Sequence, residues 1–77
     1  MSDESIVIGT KQVKRALEQG ILEEAILAED ADSALKNSLI SDLEAAGVRF
    51  EMAQNMKDLG KAYGIQVGAA VVGKLKV

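Results

Sequence analysis

Seven consecutive residues, Gly9-Thr10-Lys11-Gln12-Val13-Lys14-Arg15, bring a glycine, a hydroxyl, three cations and a carboxamide into about two helical turns. If they open a helix, its first amides have no acceptor within the helix and its end carries partial positive charge, which suits a phosphate. Lys11, Lys14 and Arg15 stand three and four apart, so they align beside those amides on the face opposite Val13 and Leu17. The Gln12 amide both donates and accepts, as contact with a base edge requires. Cations in a first turn have the wrong sign for the helix dipole and cost a few tenths of a kcal/mol each, roughly, a cost that a ligand would offset. An ordinary solvated helix face is the alternative.

Other candidate chemistry is weaker. Neither Gly-x-x-x-x-Gly-Lys-Ser/Thr nor Gly-x-Gly-x-x-Gly occurs at this turn, so nucleotide hydrolysis has no support. Ile65, Gln66 and Val67 lie between Gly64 and Gly68. Apolar side chains in such a loop either close the end of a core, the commoner use, or pack on the flat face of a ligand. Glu29, Asp30 and Asp32 lack the ligand series of a calcium loop and read as capping and solubilising residues. Tyr63 reads as a half-buried core residue, and Gly60-x-x-x-Gly64 as a place for close helix-sheet packing.

Composition narrows the rest. The chain has no Cys and no His, which removes the usual zinc ligands, thiol nucleophiles and the imidazole base. With 77 residues, of which 48% are apolar but only one is Tyr and one Phe, the core must be thin and aliphatic. This is the size of one domain, with about the first four residues disordered ahead of it. No apolar run approaches the ~20 residues of a membrane span, and Met1-Ser2-Asp3-Glu4 does not resemble a secretory signal. A cytoplasmic, non-enzymatic protein without metal or cofactor is expected. The net charge of −3 argues mildly against nucleic acid, but its distribution argues the other way. Residues 9–15 carry +3 and residues 52–77 carry +3, on either side of an acidic block, and a fold that joins them would create a basic edge.

The elements that must position these residues follow from periodicity and caps. Ile6-Val7-Ile8 predicts a strand ended by Gly9. Thr10 then caps a helix from about Lys11 to Gln19, stopped by Gly20. Ala25-Ile26-Leu27-Ala28 predicts a second strand, after which Asp32 or Ser33 caps a helix over residues 34–46 that Gly47 ends. Val48, Phe50 and Met52 alternate as a third strand with one face in the core. Asn55 caps a short helix through Tyr63, and Ala69-Ala70-Val71-Val72 predicts a fourth strand reaching toward Leu75. This order implies an α/β fold, a three-layer α/β/α sandwich around a central mixed four-stranded sheet with right-handed crossovers.

Several of these motifs together resemble a known family. Ile8-Gly9-Thr10-Lys11-Gln12-Val13, Ala16-Leu17, Gly20, Ala28-Glu29-Asp30-Ala31-Asp32, Met56-Lys57-Asp58-Leu59-Gly60-Lys61-Ala62 and Gly64-Ile65-Gln66-Val67-Gly68-Ala69-Ala70 stand in the order seen in the L-seven-Ae/L-thirty-e ribosomal protein superfamily. The likeness spans Ile6 to Val72 and is closest to small bacterial members. It implies an α/β/α sandwich that binds the kink-turn, a sharply bent RNA internal loop with sheared G·A pairs. Gly9, Thr10, Lys11, Gln12 and Arg15 would then read the sheared guanines at the kink. Ile65, Gln66 and Val67 would cover flipped or stacked bases, and Asp32 would lie near the flipped nucleotide. Lys14, Lys57 and Lys61 would neighbour the RNA backbone.

Family members usually carry a helix before the first strand and often one after the last. The resemblance therefore implies a sheet face less covered here, and a monomer with a dimer as the alternative. The RNA would be structured, either ribosomal or an mRNA leader, and the protein ribosomal or ribosome-associated. The rival reading is a ribosome-associated or protein-interaction scaffold of the same fold with little RNA affinity, which the net charge of −3 favours. A third is the detached recognition module of an RNA-modifying enzyme.

Overall fold

The computed structural model of the protein describes residues 6–64 and 68–76. Strands and helices alternate: β1 (Ile6–Ile8), α1 (Thr10–Glu18), β2 (Leu22–Ala28), α2 (Ser33–Ala46), β3 (Arg49–Ala53), α3 (Met56–Ala62) and β4 (Val71–Leu75). The expectations placed on residues 1–4 and on the loop Ile65-Gln66-Val67 lie outside the described residues.

The strands stand in the order β1-β4-β2-β3. β4 runs antiparallel to both its neighbours while β2 and β3 are parallel, so the sheet is mixed and β1, β2 and β3 share one direction. The two crossovers, β1-α1-β2 and β2-α2-β3, step the same way along the sheet, and a common hand puts their helices on one face. Burial agrees. Val13 and Ala16 of α1 and Leu39 and Leu43 of α2 bury together with Leu22, Ala25, Leu27 and Val71. Strand alternation sends Ala28 and Val72 to the other face, where they bury with Leu59 of α3 and with Ala31 and Ala69. The result is the three-layer α/β/α sandwich.

Gly73 of β4 shows how closely the first layer sits. A Cβ there would fall 3.2 Å from Val13 Cγ2, 3.2 Å from Val7 Cγ2 and 2.7 Å from Leu22 Cδ1, so the bare backbone is what admits Val13 onto the sheet.

On the opposite face α3 covers only one end. Farther along, pairing places Lys74 between Ile6 and Glu24, and Glu24 beside Arg49. Lys74 Nζ lies 3.8 Å from Glu24 Oε1. Among the described residues no helix covers this half of the sheet, a row of alternating charge with Ile6 at its edge.

Four local expectations are corrected. Thr10 does not cap α1 but is its first helical residue; the cap position belongs to Gly9, which offers no side chain. β2 starts at Leu22 rather than Ala25, across an irregularity in pairing with β4 between Leu22 and Glu24. β4 starts at Val71 rather than Ala69, because the Ala69 amide goes to the Met56 carbonyl at 3.1 Å instead of to a strand partner. Met52 stays exposed, since β3 is an edge strand and no helix covers that position, whereas Phe50 packs against the core of α1 and α2.

Candidate nucleic-acid interface

Because β1, β2 and β3 are parallel and each leads into a helix, α1, α2 and α3 all begin at the same end of the sheet. β4 also begins there. Positive helix ends are thus gathered at one place, from both faces of the sheet.

The three helix starts differ in how their amides are used. α2 is capped by Asp32, whose carboxylate accepts from the Leu35 amide at 3.1 Å. α3 is capped twice: Asn55 Oδ1 accepts from the Asp58 amide at 2.7 Å, and Asp30 Oδ1 accepts from the Met56 amide at 2.8 Å. α1 has no side-chain cap and no acid in its first turn. Its preceding residue, Gly9, takes φ 105 and ψ 153, a conformation essentially reserved for glycine. The Gly9 amide donates to the Val71 carbonyl at 2.9 Å and the Gly9 carbonyl accepts from Val13 at 3.0 Å. This turn aims the amides of Thr10, Lys11 and Gln12 outward with no acceptor inside the helix.

Lys11, Gln12 and Arg15 are exposed, and Lys11 and Arg15 share a face one turn apart. Arg15 stands in the last turn of this short helix, where a cation suits the dipole, so the cost expected of first-turn cations does not apply to it. Lys14 departs from that arrangement. It is half-buried and lines a groove of about 440 Å³ between α1 and α2 with Leu17, Glu18, Asp42, Ala45 and Ala46. The expectation that it lies opposite Leu17 beside the free amides is therefore not met: Lys14 and Leu17 face the same groove.

Lys57 and Lys61 are exposed on α3, on the other face of the sheet; Lys57 follows the first residue of the helix, at the shared end, and Lys61 lies one turn on, in the last turn. Asp32 is exposed but its carboxylate is engaged at the start of α2. Ile65, Gln66 and Val67 lie outside the described residues; the segment just after them is held by the Ala69 bond to Met56 and by the Ala70 carbonyl, which accepts from Ala28 at 2.9 Å. Asp30 is a capping residue as the sequence suggests, but of a distant helix, and Lys36 has a role that the sequence does not single out. Asp30 reaches α3 from 26 positions away, and Lys36 donates from its ammonium to the Glu29 carbonyl, closing the loop before α2. A cation in the first turn of a helix that follows an acidic loop was the available signal for Lys36.

Among the described residues no cluster of acids is arranged to hold a metal ion, and no helix is long and apolar enough to cross a membrane. The arrangement is suited to an anion met by α1 amides, Lys11 and Arg15, with a carboxamide beside it.

The model of the ribosomal protein L7Ae/L30e/S12e/Gadd45 family matches residues 1–77. The chain belongs to that family. Within it, the chain is 46% identical over 69 residues to a protein of Bacillus pumilus (strain SAFR-032) named RNA-binding protein, covering 90% of this chain and 84% of that one. It is 48% identical over 71 residues to a protein of Geobacillus thermodenitrificans (strain NG80-2) with the same name, covering 92% and 87%. Among solved structures, the 15.5kD RNA binding protein of Giardia lamblia superposes with a TM-score of 0.87 at 25% identity, over 96% of this chain and 62% of that one.

Proposed function

We propose that this L7Ae-family protein binds RNA, and that its target is a kink-turn whose bent form it holds by contacts available only in that form. The observation that carries the reading is the α1 start. It is the helix start without a side-chain cap among the described residues, and it presents Lys11 and Gln12 beside its first amides, with Arg15 one turn further along on the Lys11 face. Phosphates are met by cations and helix amides, while RNA sequence is read where bases leave the stack and expose their edges. Sheared G·A pairs expose guanine edges in that way, and Gln12 supplies the donor and acceptor to meet them. Gly9 and Thr10 shape the approach. Lys57 and Lys61, with Lys14 at the side, neighbour the RNA backbone. Ile65, Gln66 and Val67 cover the flipped or stacked bases, with Asp32 close to the flipped nucleotide.

Binding of this kind shifts the RNA toward its bent population and needs no catalytic group. The protein acts in the cytoplasm as a monomeric single domain, on ribosomal RNA or an mRNA leader, ribosomal or ribosome-associated. The names of the Bacillus and Geobacillus relatives support an RNA partner.

The net charge of −3 favours a second reading, a ribosome-associated or protein-interaction scaffold of the same fold with little RNA affinity. Titrating a fluorescently labelled kink-turn RNA at two salt concentrations, beside a matched duplex lacking the G·A pairs, separates the two. Tight, salt-dependent binding to the kinked RNA alone is expected. Equal or absent binding to both RNAs would favour the scaffold.

A further inference from the structure

The geometry points to Asp30 as a positioning residue for RNA recognition. Its carboxylate holds the start of α3, and with it Lys57 and Lys61, in place relative to the start of α1. This inference rests on the RNA-binding reading above and adds to it a residue that need not touch RNA.

α3 is the shortest of the three helices. It has seven residues, too few to be stable by itself. Among buried side chains, its Leu59 clusters only with Val72 and the small side chains of Ala28, Ala31 and Ala69. Its own N-terminus is already served locally by Asn55. The bond from the Met56 amide to Asp30 Oδ1, at 2.8 Å, serves a different amide from the one Asn55 caps and, unlike that local cap, ties the helix to the loop after β2. That loop is a firm anchor. The Glu29 amide donates to the Ala53 carbonyl at 2.8 Å, the Ala31 amide to the Ala28 carbonyl at 3.2 Å, and Ala31 itself is buried.

From Met56 the connection continues to α1. The Met56 carbonyl accepts from the Ala69 amide at 3.1 Å, and two residues on, the Val71 carbonyl accepts from Gly9 at 2.9 Å. Gly68 lies flush against the same helix start, since a Cβ there would be 3.0 Å from Met56 Cβ and 3.1 Å from its backbone. Asp30, Met56, Ala69 and Gly9 thus form one relay between two helix starts on opposite faces of the sheet. An exposed carboxylate at an end that meets phosphates has the wrong sign for attraction. Its contribution is geometric.

The test uses the full chain and a labelled kink-turn RNA. Asp30→Ala should bind about fivefold more weakly, the size of effect of one modest hydrogen bond. Asp30→Asn keeps the acceptor oxygen without the charge and should bind like the parent. In a Lys57→Ala/Lys61→Ala background Asp30→Ala should have no further effect, whereas in an Arg15→Ala background its effect should persist. Binding by Asp30→Ala equal to or tighter than the parent's would overturn the inference, as would Asp30→Asn as weak as the alanine variant, or an equal loss in both backgrounds. Should Asp30→Ala not fold, amide hydrogen exchange on the parent decides: RNA must slow exchange at Met56 and Ala69 as well as at Thr10 to Gln12, and unchanged exchange at Met56 and Ala69 rejects the relay. A parent that binds no kink-turn RNA removes the RNA reading itself, and is seen in the first titration before any variant is made.

Discussion

The Gly9 amide and the Val71 carbonyl meet at 2.9 Å, which joins the residue before α1 to the first residue of β4. Gly9 keeps this bond at φ 105 and ψ 153, so the start of α1 is positioned by a backbone conformation rather than by a capping side chain.

Gly9→Ala should therefore destabilise the protein by ~1–3 kcal/mol, the cost of forcing a Cβ into that region, even though open space surrounds the position. Urea denaturation measures it. Stability equal to the parent's would show that α1 can begin by another route.

Arg15→Ala should weaken RNA binding and lower the salt slope by about one, as the loss of one phosphate contact does. Gln12→Ala should instead lower discrimination between kink-turn RNA and the duplex lacking G·A pairs, by ~1–3 kcal/mol, with little change in salt slope. Titrations of both RNAs at several salt concentrations check the pair, and parent-like behaviour of both variants would refute this site.

Lys11 and Lys14 should separate in the same assay. Lys11 is exposed on the outer face of α1, whereas Lys14 turns into the groove beside Glu18 and Asp42. The salt slope should fall more for Lys11→Ala than for Lys14→Ala. A reversed order would mean that Lys14 swings out of the groove to reach RNA.

Gly73→Ala should cost ~1–3 kcal/mol by overpacking, because Val13, Val7 and Leu22 already occupy the space its methyl would need. Thermal unfolding followed by circular dichroism reads the loss, and RNA affinity of the folded fraction should not change.

Much of this architecture is legible in the residues, because it rests on local rules. Asp32 and Asn55 cap the helices that their positions predict, and Gly20, Gly47 and Gly64 stand at helix stops with positive φ. Leu39 and Leu43 bury at the spacing of a helix face. What was not legible depends on neighbours far along the chain. Glu23 and Glu24 hide the first part of β2, because the strand is polar there and Glu24 finds its counterion in Lys74, fifty positions later. The groove around Lys14 exists only once α2 lies beside α1. Asp30 belongs by sequence to an acidic loop that reads as capping, but its partner, Met56, follows from topology alone.

The free helix start has a consequence for how such a protein can change. Lys11, Gln12 and Arg15 are exposed, and none of them packs in either buried cluster. Substitutions at these three positions leave the interior untouched and fall in the range where surface changes alter stability by only about 0.5 kcal/mol. Under the RNA-binding site proposed above, selection can therefore retune which RNA is preferred, or relax the preference altogether, while the scaffold persists, and descendants of one ancestral sandwich can diverge in their targets without passing through an unfolded intermediate.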